Sequence, residues 1–299
     1  MQYDVIIIGG SYAGLAAGMP LARARRKILV IDGGQRRNRF AQHSHGFLTQ
    51  DGADAGAIAA KGREQLLAYD TVHWLEGKAS SAERTEHGFR VQIEGMESLE
   101  ARRLVLATGV VDLLPDVPGL AERWGSHVFH CPYCHGYELN QGQIGVLASS
   151  PMSMHLALLL PDWGATTFFL NDAFEPDDEQ LEKLKARGVR LERNRIARIE
   201  GALELIMQDG RMVKLDGLFT ATRLEVASPI AALVGCEFDE GSFGRTIKTD
   251  LMKASTVQGV YACGDAARPG RGCVKTQNHF SGERVRLRSN LETNLHVKH

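Results

Sequence analysis

Tyr3-Asp4-Val5-Ile6-Ile7-Ile8 running into Gly9-Gly10-Ser11-Tyr12-Ala13-Gly14 is the stretch that decides the fold of this chain. Residues 5–8 are apolar and β-branched with no polar alternation, the pattern of a strand buried on both faces of a parallel sheet, and the run stops at a glycine turn. Over residues 15–26 small and apolar residues recur at helical spacing, with Pro20 expected to kink the helix or shorten its regular part. Residues 27–31 read as a second buried strand that ends at Asp32. Strand, glycine turn, helix, strand and terminal acid make a βαβ unit of the dinucleotide-binding type, with Asp32 placed for a ribose. Gly9 permits the tight turn, and Gly14 lets the helix pack closely on the sheet so that its N-terminus faces a pyrophosphate. Ser11 stands where the G-x-G-x-x-G pattern has its second glycine, so the site has to tolerate a small hydroxyl there, usable as a donor. On these residues alone, an αβ unit that holds no nucleotide stays open.

Outward from this unit the chain keeps alternating. Residues 89–93 and 103–107 read as strands, the second ending in Ala107-Thr108-Gly109, and the prolines within 114–119 suit a linker, which places a domain boundary near 115. A second αβ alternation starts at Gln143, with strand 144–147, helix 152–160, strand 166–170, an acidic segment and helix 178–187. Strand 259–263 and the turn Gly264-Asp265 look like the strand ends of the first domain. The expectation is therefore an α/β protein with two Rossmann-like domains, the first discontinuous (1–115 and 240–299) with the second (116–239) inserted.

Composition limits the partners. The 35 basic and 36 acidic side chains leave a formal charge of -1, so no global field recruits nucleic acid or an anionic membrane. No apolar run reaches the roughly 20 residues of a bilayer span. A cytoplasmic protein without membrane or nucleic-acid partners is expected. Five cysteines in 299 residues argue against an extracellular disulfide framework and turn attention to the one close pair.

That pair lies in Cys131-Pro132-Tyr133-Cys134-His135-Gly136-Tyr137-Glu138. Two intervening residues let the sulfurs sit on one turn, close enough to bond, and Pro132 stiffens that turn. If Cys134 starts a helix, the amide dipoles favour its thiolate, and the adjacent His135 can take or give the proton that exchange requires. A zinc half-site is the alternative, but Cys236, Cys263 and Cys273 form no second close pair, so no metal is expected. His127 and His130 read as surface or hydrogen-bonded residues, and Cys263 as buried beside its strand.

Residues 104–109 (LVLATG) and 260–265 (VYACGD), taken with the first glycine turn, resemble the three signatures of two-dinucleotide flavoproteins. With the CxxC inside the inserted domain, residues 1–268 resemble the low-molecular-weight thioredoxin reductase family. The Cys-x-x-Cys-His-Gly form is closest to the dithiol oxidases of the gliotoxin and holomycin pathways. The resemblance implies FAD, held at Gly9, Gly10, Ser11, Ala13 and Gly14, at Asp32 and Gly33, at Thr108 and Gly109, and at Gly264, with Asp265 on the ribityl chain. Residues 36–40 and 44–51 look like loops over the flavin in one branch of that superfamily, which adds Arg39, His45 and Gly46. It further implies a homodimer in which Cys134 faces the isoalloxazine, Cys131 exchanges with substrate and His135 serves as acid/base.

Two departures bear on direction. After residue 147 the family's reductases have a glycine-rich turn for NADPH, whereas here Ala148-Ser149-Ser150-Pro151-Met152-Ser153 contains no glycine. Nor does the second strand lead to an arginine pair for the 2′-phosphate; it leads to Asn171, Asp172, Glu175, Asp177 and Asp178, whose charges are expected to repel it. NADPH is thereby in doubt, and the dithiol oxidase direction is expected, on a small-molecule dithiol or disulfide or a thioredoxin-like protein. An NADPH-dependent disulfide reductase and a non-catalytic flavin-binding protein remain as alternatives. The tail 268–299 is basic, with little apolar periodicity, and resembles nothing in the family.

Overall fold

A computed structural model of the chain describes residues 2–268, so Cys273 and the tail after Arg268 lie outside the described residues. The chain falls into two compact units, one built from residues up to Gln42, Ala53–Val111 and Leu224 onward, the other from His43–Gly52 and Asp112–Arg223. The first, described for its residues up to Arg268, begins with β1 (Tyr3–Ile8), α1 (Tyr12–Arg23) and β2 (Ile28–Asp32). It continues with α2 (Ala55–Leu67), β3 (Val72–Glu76), β4 (Ala79–Thr85), β5 (Gly88–Ile93) and β6 (Leu99–Leu106). Strands run in the order β3-β2-β1-β6-β5-β4. β1 is parallel to both neighbours, with Ile6 opposite Leu29 on one side and Leu104 on the other. Because side chains alternate along a strand, Val5 and Ile7 feed one apolar layer, shared with Leu15, Ala17 and Leu21 of α1, while Ile6 and Ile8 feed the opposite one. This explains the unbroken apolar run: both faces of β1 are covered.

The second unit holds α3 (Pro132–His135) and a parallel sheet containing β7 (Gln141–Leu147), β8 (Gly164–Phe169) and β9 (Gly217–Thr220), with β7 between the other two. One face of this sheet, through Ile144, Val146, Phe168 and Phe219, packs on Met154, Leu156 and Ala157 of the helix Ser153–Leu159. The other, through Leu147, Phe169 and Leu218, packs on Ile196, Ile199 and Leu205 of an antiparallel three-stranded sheet. Among the described residues no helix is long and apolar enough to cross a membrane.

Several boundaries differ from expectation for local reasons. α1 starts three residues earlier than the periodicity suggested, because Ser11 sits in extended backbone as its N-cap, and it tolerates Pro20 near its end. The first unit resumes at 224 rather than 240: Ile230 and Ala231 of a short helix, with Cys236 and Ile247, are built into its core layer. The second unit also takes in His43–Gly52, expected in the first.

Candidate active site

Cys131, in extended backbone, is the N-cap of α3, and Pro132 occupies the first helical position, where its missing N–H costs nothing. Cys134 is thus the third helical residue, not the first as expected. The amide of Cys134 donates to the Cys131 carbonyl at 3.2 Å, and that of Gly136 to the Pro132 carbonyl at 2.7 Å. This single turn brings Cys131 and Cys134 into a disulfide with a Cα separation of 5.4 Å, within the usual span. Cys131 is buried, at 6% exposure, and Cys134 is half-buried.

What surrounds the turn fixes it. A Cβ on Gly136 would stand 2.7 Å from both the Pro132 carbonyl oxygen and Cδ1 of Trp163, so only glycine fits under that indole. Trp163 meets the ring of Tyr133 edge-on at 5.2 Å. Tyr133 and Tyr137 are themselves exposed. The His135 ring lies 4.3 Å from that of Phe129, and its Nδ1 is buried with no hydrogen-bond partner among the described residues. Burial pushes the His135 imidazole down to about 4; Glu138 opposes this and His45 adds to it. At neutral pH His135 is therefore an uncharged base. Of the other histidines, His127 is hydrogen-bonded to Ser126 and His130 lies 6.0 Å from the Trp124 ring.

In the first unit the glycine turn forms a cradle in which side chains are excluded. Gly9 has φ +109°, and a Cβ there would stand 2.2 Å from the Ala107 carbonyl oxygen; on Gly14 it would meet the Gly9 carbonyl oxygen at 1.8 Å. Gly10 abuts Asp32 and Trp74, and Gly264 abuts Ala13, both at 2.6 Å for an added Cβ. At the mouth of α1 the Ser11 hydroxyl makes no capping bond, and no acid sits in the first turn, so the end is open to an anion. The Thr108 hydroxyl is buried without a partner among the described residues. These features fit a dinucleotide diphosphate. Asp32 accepts from the Gly34 amide at 3.1 Å, and Gly33 opens the loop after it. Asp265 pairs with Arg37 at 2.9 Å, whereas the expected Arg39 donates its guanidinium to the Arg36 carbonyl and lies over Phe40. Gly109 follows Thr108 with φ +68°.

In the second unit the turn after β7 is closed by its own side chains. The amide of Ser149 donates to the Ser153 hydroxyl at 3.0 Å, and the Ser149 hydroxyl donates to the Ala221 carbonyl at 2.6 Å. Some of the acids beyond β8 have partners: Asp172 pairs with Arg195 at 3.4 Å and Glu175 with Arg193, while Asp177 caps the following helix by accepting from the Gln180 amide. Two arginines, each already paired, thus lie among these acids. His45 and Gly46, expected near a flavin, lie in the second unit, where His45 faces Asp51 and Glu138 and the Gly46 amide donates to Asp51 at 2.7 Å. Glu138 was within the quoted cysteine run, and its i+3 spacing from His135 was the available signal; nothing local pointed to Trp163.

The pyridine nucleotide-disulphide oxidoreductase family matches residues 3–285. A curated relative, thioredoxin reductase tcpT of Claviceps purpurea, is 31% identical over 88% of this chain and 86% of its own length. An oxidoreductase from Agrobacterium tumefaciens superposes with a TM-score of 0.93 at 50% identity, covering 99% of each chain. The crystal structure of HlmI superposes with a TM-score of 0.86 at 33% identity, covering 98% of this chain and 93% of that one.

Proposed function

Because this chain belongs to the pyridine nucleotide-disulphide oxidoreductase family, an oxidoreductase family acting on sulfur groups and implying FAD, we propose that it works as a dithiol oxidase. The observation that carries the direction is the closed turn at Ser149 and Ser153, which spends on its own side chains the amide that a nicotinamide dinucleotide would use. FAD, held by the glycine cradle with Ser11, Asp32, Thr108 and Asp265, supplies the acceptor for the two electrons that the reduced cysteine pair carries. The chain's own residues do the sulfur chemistry. A substrate thiol attacks Cys131, the bond to Cys134 breaks, and the thiol proton passes to neutral His135. The second substrate thiol then attacks the mixed disulfide, releasing an oxidised product and the reduced pair. Cys131 is almost fully buried, so attack requires its cover to move.

The substrate class is a small dithiol, in keeping with the exposed aromatic residues Tyr133 and Tyr137 beside the disulfide and with the likeness to HlmI. The name of the Claviceps relative favours the second reading, an NADPH-dependent reductase of a thioredoxin-like protein. A cytoplasmic homodimer is part of the proposal, in keeping with the resemblance to the thioredoxin reductase family. Aerobic incubation with dithiothreitol and FAD tests the direction: catalytic thiol loss with matching hydrogen peroxide supports it. Thiol loss no faster than in the protein-free control would contradict it, and light scattering settles the assembly.

A further inference from the structure

Resting on the reading of Asp265 as the ribityl contact of the FAD cradle, we propose that Arg37 is a positioning residue for the cofactor: it reaches across the sheet from the loop after β2 and fixes the Asp265 carboxylate in the orientation that the ribityl chain needs. The sheet register defines the span. Ile31 of β2, Ile8 of β1, Leu106 of β6 and Ala262 of the strand Val260–Ala262 stand side by side in parallel strands. Three strand spacings, about 14 Å, therefore separate the end of β2 from the turn that carries Asp265. Arg37 follows Ile31 by six residues and Asp265 follows Ala262 by three, yet Arg37 Nη1 and Asp265 Oδ2 are 2.9 Å apart. The pair thus links the two sides of the carboxyl end of the sheet. Between them in strand order lie β1 with Gly9 and Gly10 after it and β6 with Thr108 and Gly109 after it, where a dinucleotide would be held.

Local structure explains why this carboxylate needs such a partner. Asp265 lies in the single turn Gly264–Ala266, and the amides of Ala267 and Arg268 both close on the Gly264 carbonyl, at 3.1 and 3.0 Å. Those bonds hold the backbone of the turn and leave the rotamer of Asp265 to its side-chain contacts. The loop end is anchored separately. Arg36 Nη1 donates to the Ala55 carbonyl at 3.3 Å, the same carbonyl that the Tyr12 hydroxyl reaches from α1 at 2.8 Å, and Asp32 accepts the Gly34 amide at 3.1 Å. Consecutive arginines thus have different tasks: Arg36 ties the loop to the helices, and Arg37 acts on the acid. With side-chain exposures of 21% and 34% the Arg37–Asp265 pair is partly shielded, so its charge-assisted bond restrains the carboxylate more than a fully solvated pair does. A carboxylate already restrained loses less side-chain freedom when a ribityl hydroxyl donates to it.

The test titrates FAD into the flavin-free full chain, read by quenching of flavin fluorescence, and records ³¹P NMR of the FAD-loaded chain. Arg37→Gln weakens FAD binding roughly fivefold, the scale of one partly exposed ion pair. Arg37→Lys, which keeps the charge, regains most of that loss. Arg37→Gln adds nothing to the loss already present in Asp265→Asn, because both act through one contact. The diphosphate resonances in Arg37→Gln coincide with those of the parent. Three results overturn the proposal: affinity unchanged in Arg37→Gln, losses that multiply in the double variant, or shifted diphosphate resonances, which would put the guanidinium on the diphosphate itself. Failure of the underlying reading looks different: Asp265→Asn would bind FAD as tightly as the parent.

Discussion

The Ser149 amide and the Ser153 hydroxyl are hydrogen-bonded at 3.0 Å, with Ser153 wholly buried, so the turn that follows β7 is sealed by its own chain. A pyrophosphate approaching that turn would have to displace this part-buried bond and find a substitute for the missing glycines. Anaerobic titration with NADPH is therefore expected to leave the flavin yellow at concentrations up to a millimolar, whereas dithiothreitol bleaches it. Bleaching by micromolar NADPH would contradict the oxidase direction.

Gly136→Ala inserts a methyl group 2.7 Å from the Trp163 indole and the Pro132 carbonyl. Overpacking of this kind costs about 1–3 kcal/mol, and the rigid neighbours cannot give way. Urea denaturation should show a lower midpoint together with a faster reaction of the cysteine pair with tris(2-carboxyethyl)phosphine. A midpoint unchanged from the parent would mean the indole does not lie against residue 136.

Ser11→Asp separates helix stability from cofactor binding. Aspartate is a good N-cap and suits the helix dipole, so thermal stability of the flavin-free chain should hold or rise. The same carboxylate confronts the diphosphate, and flavin content after purification should fall severalfold. Full flavin retention would place the diphosphate elsewhere than at the mouth of α1.

His135 gives a pH dependence with a defined sign. Its folded value of about 4 lies below the ordinary 6.5, so between these the unfolded chain binds more protons than the folded one. Stability from keeping this ring neutral is complete above about 6.5 and is lost as pH falls toward 4. His135→Gln should flatten the stability profile in that window alone, read from denaturation midpoints at half-unit steps. A profile parallel to the parent's would show His135 to be solvated.

Much of the frame was legible because it is written in short-range signals. The apolar run of β1, the glycines after it and the acid at Asp32 act on neighbours within a few residues, and the strand was placed at its observed bounds. The start of α3 is also written locally, as proline at the first helical position, two residues before the start expected at Cys134. Long-range pairings were not legible. Arg37 meets Asp265 across 228 positions, and Trp163 reaches the cysteine turn only because β7 and β8 run side by side. The acids after β8 illustrate the limit: sequence shows their charge but not that Arg195 pairs with Asp172 and Arg193 with Glu175.

The central claim is that the Cys131–Cys134 disulfide is the port through which substrate electrons enter. Single-turnover flavin reduction by dithiothreitol in Cys131→Ser and Cys134→Ser, each with parental flavin content, tests it most directly. The account predicts a loss of at least a thousandfold in both, since neither variant can form the internal disulfide. Reduction at the parental rate in either one would contradict it.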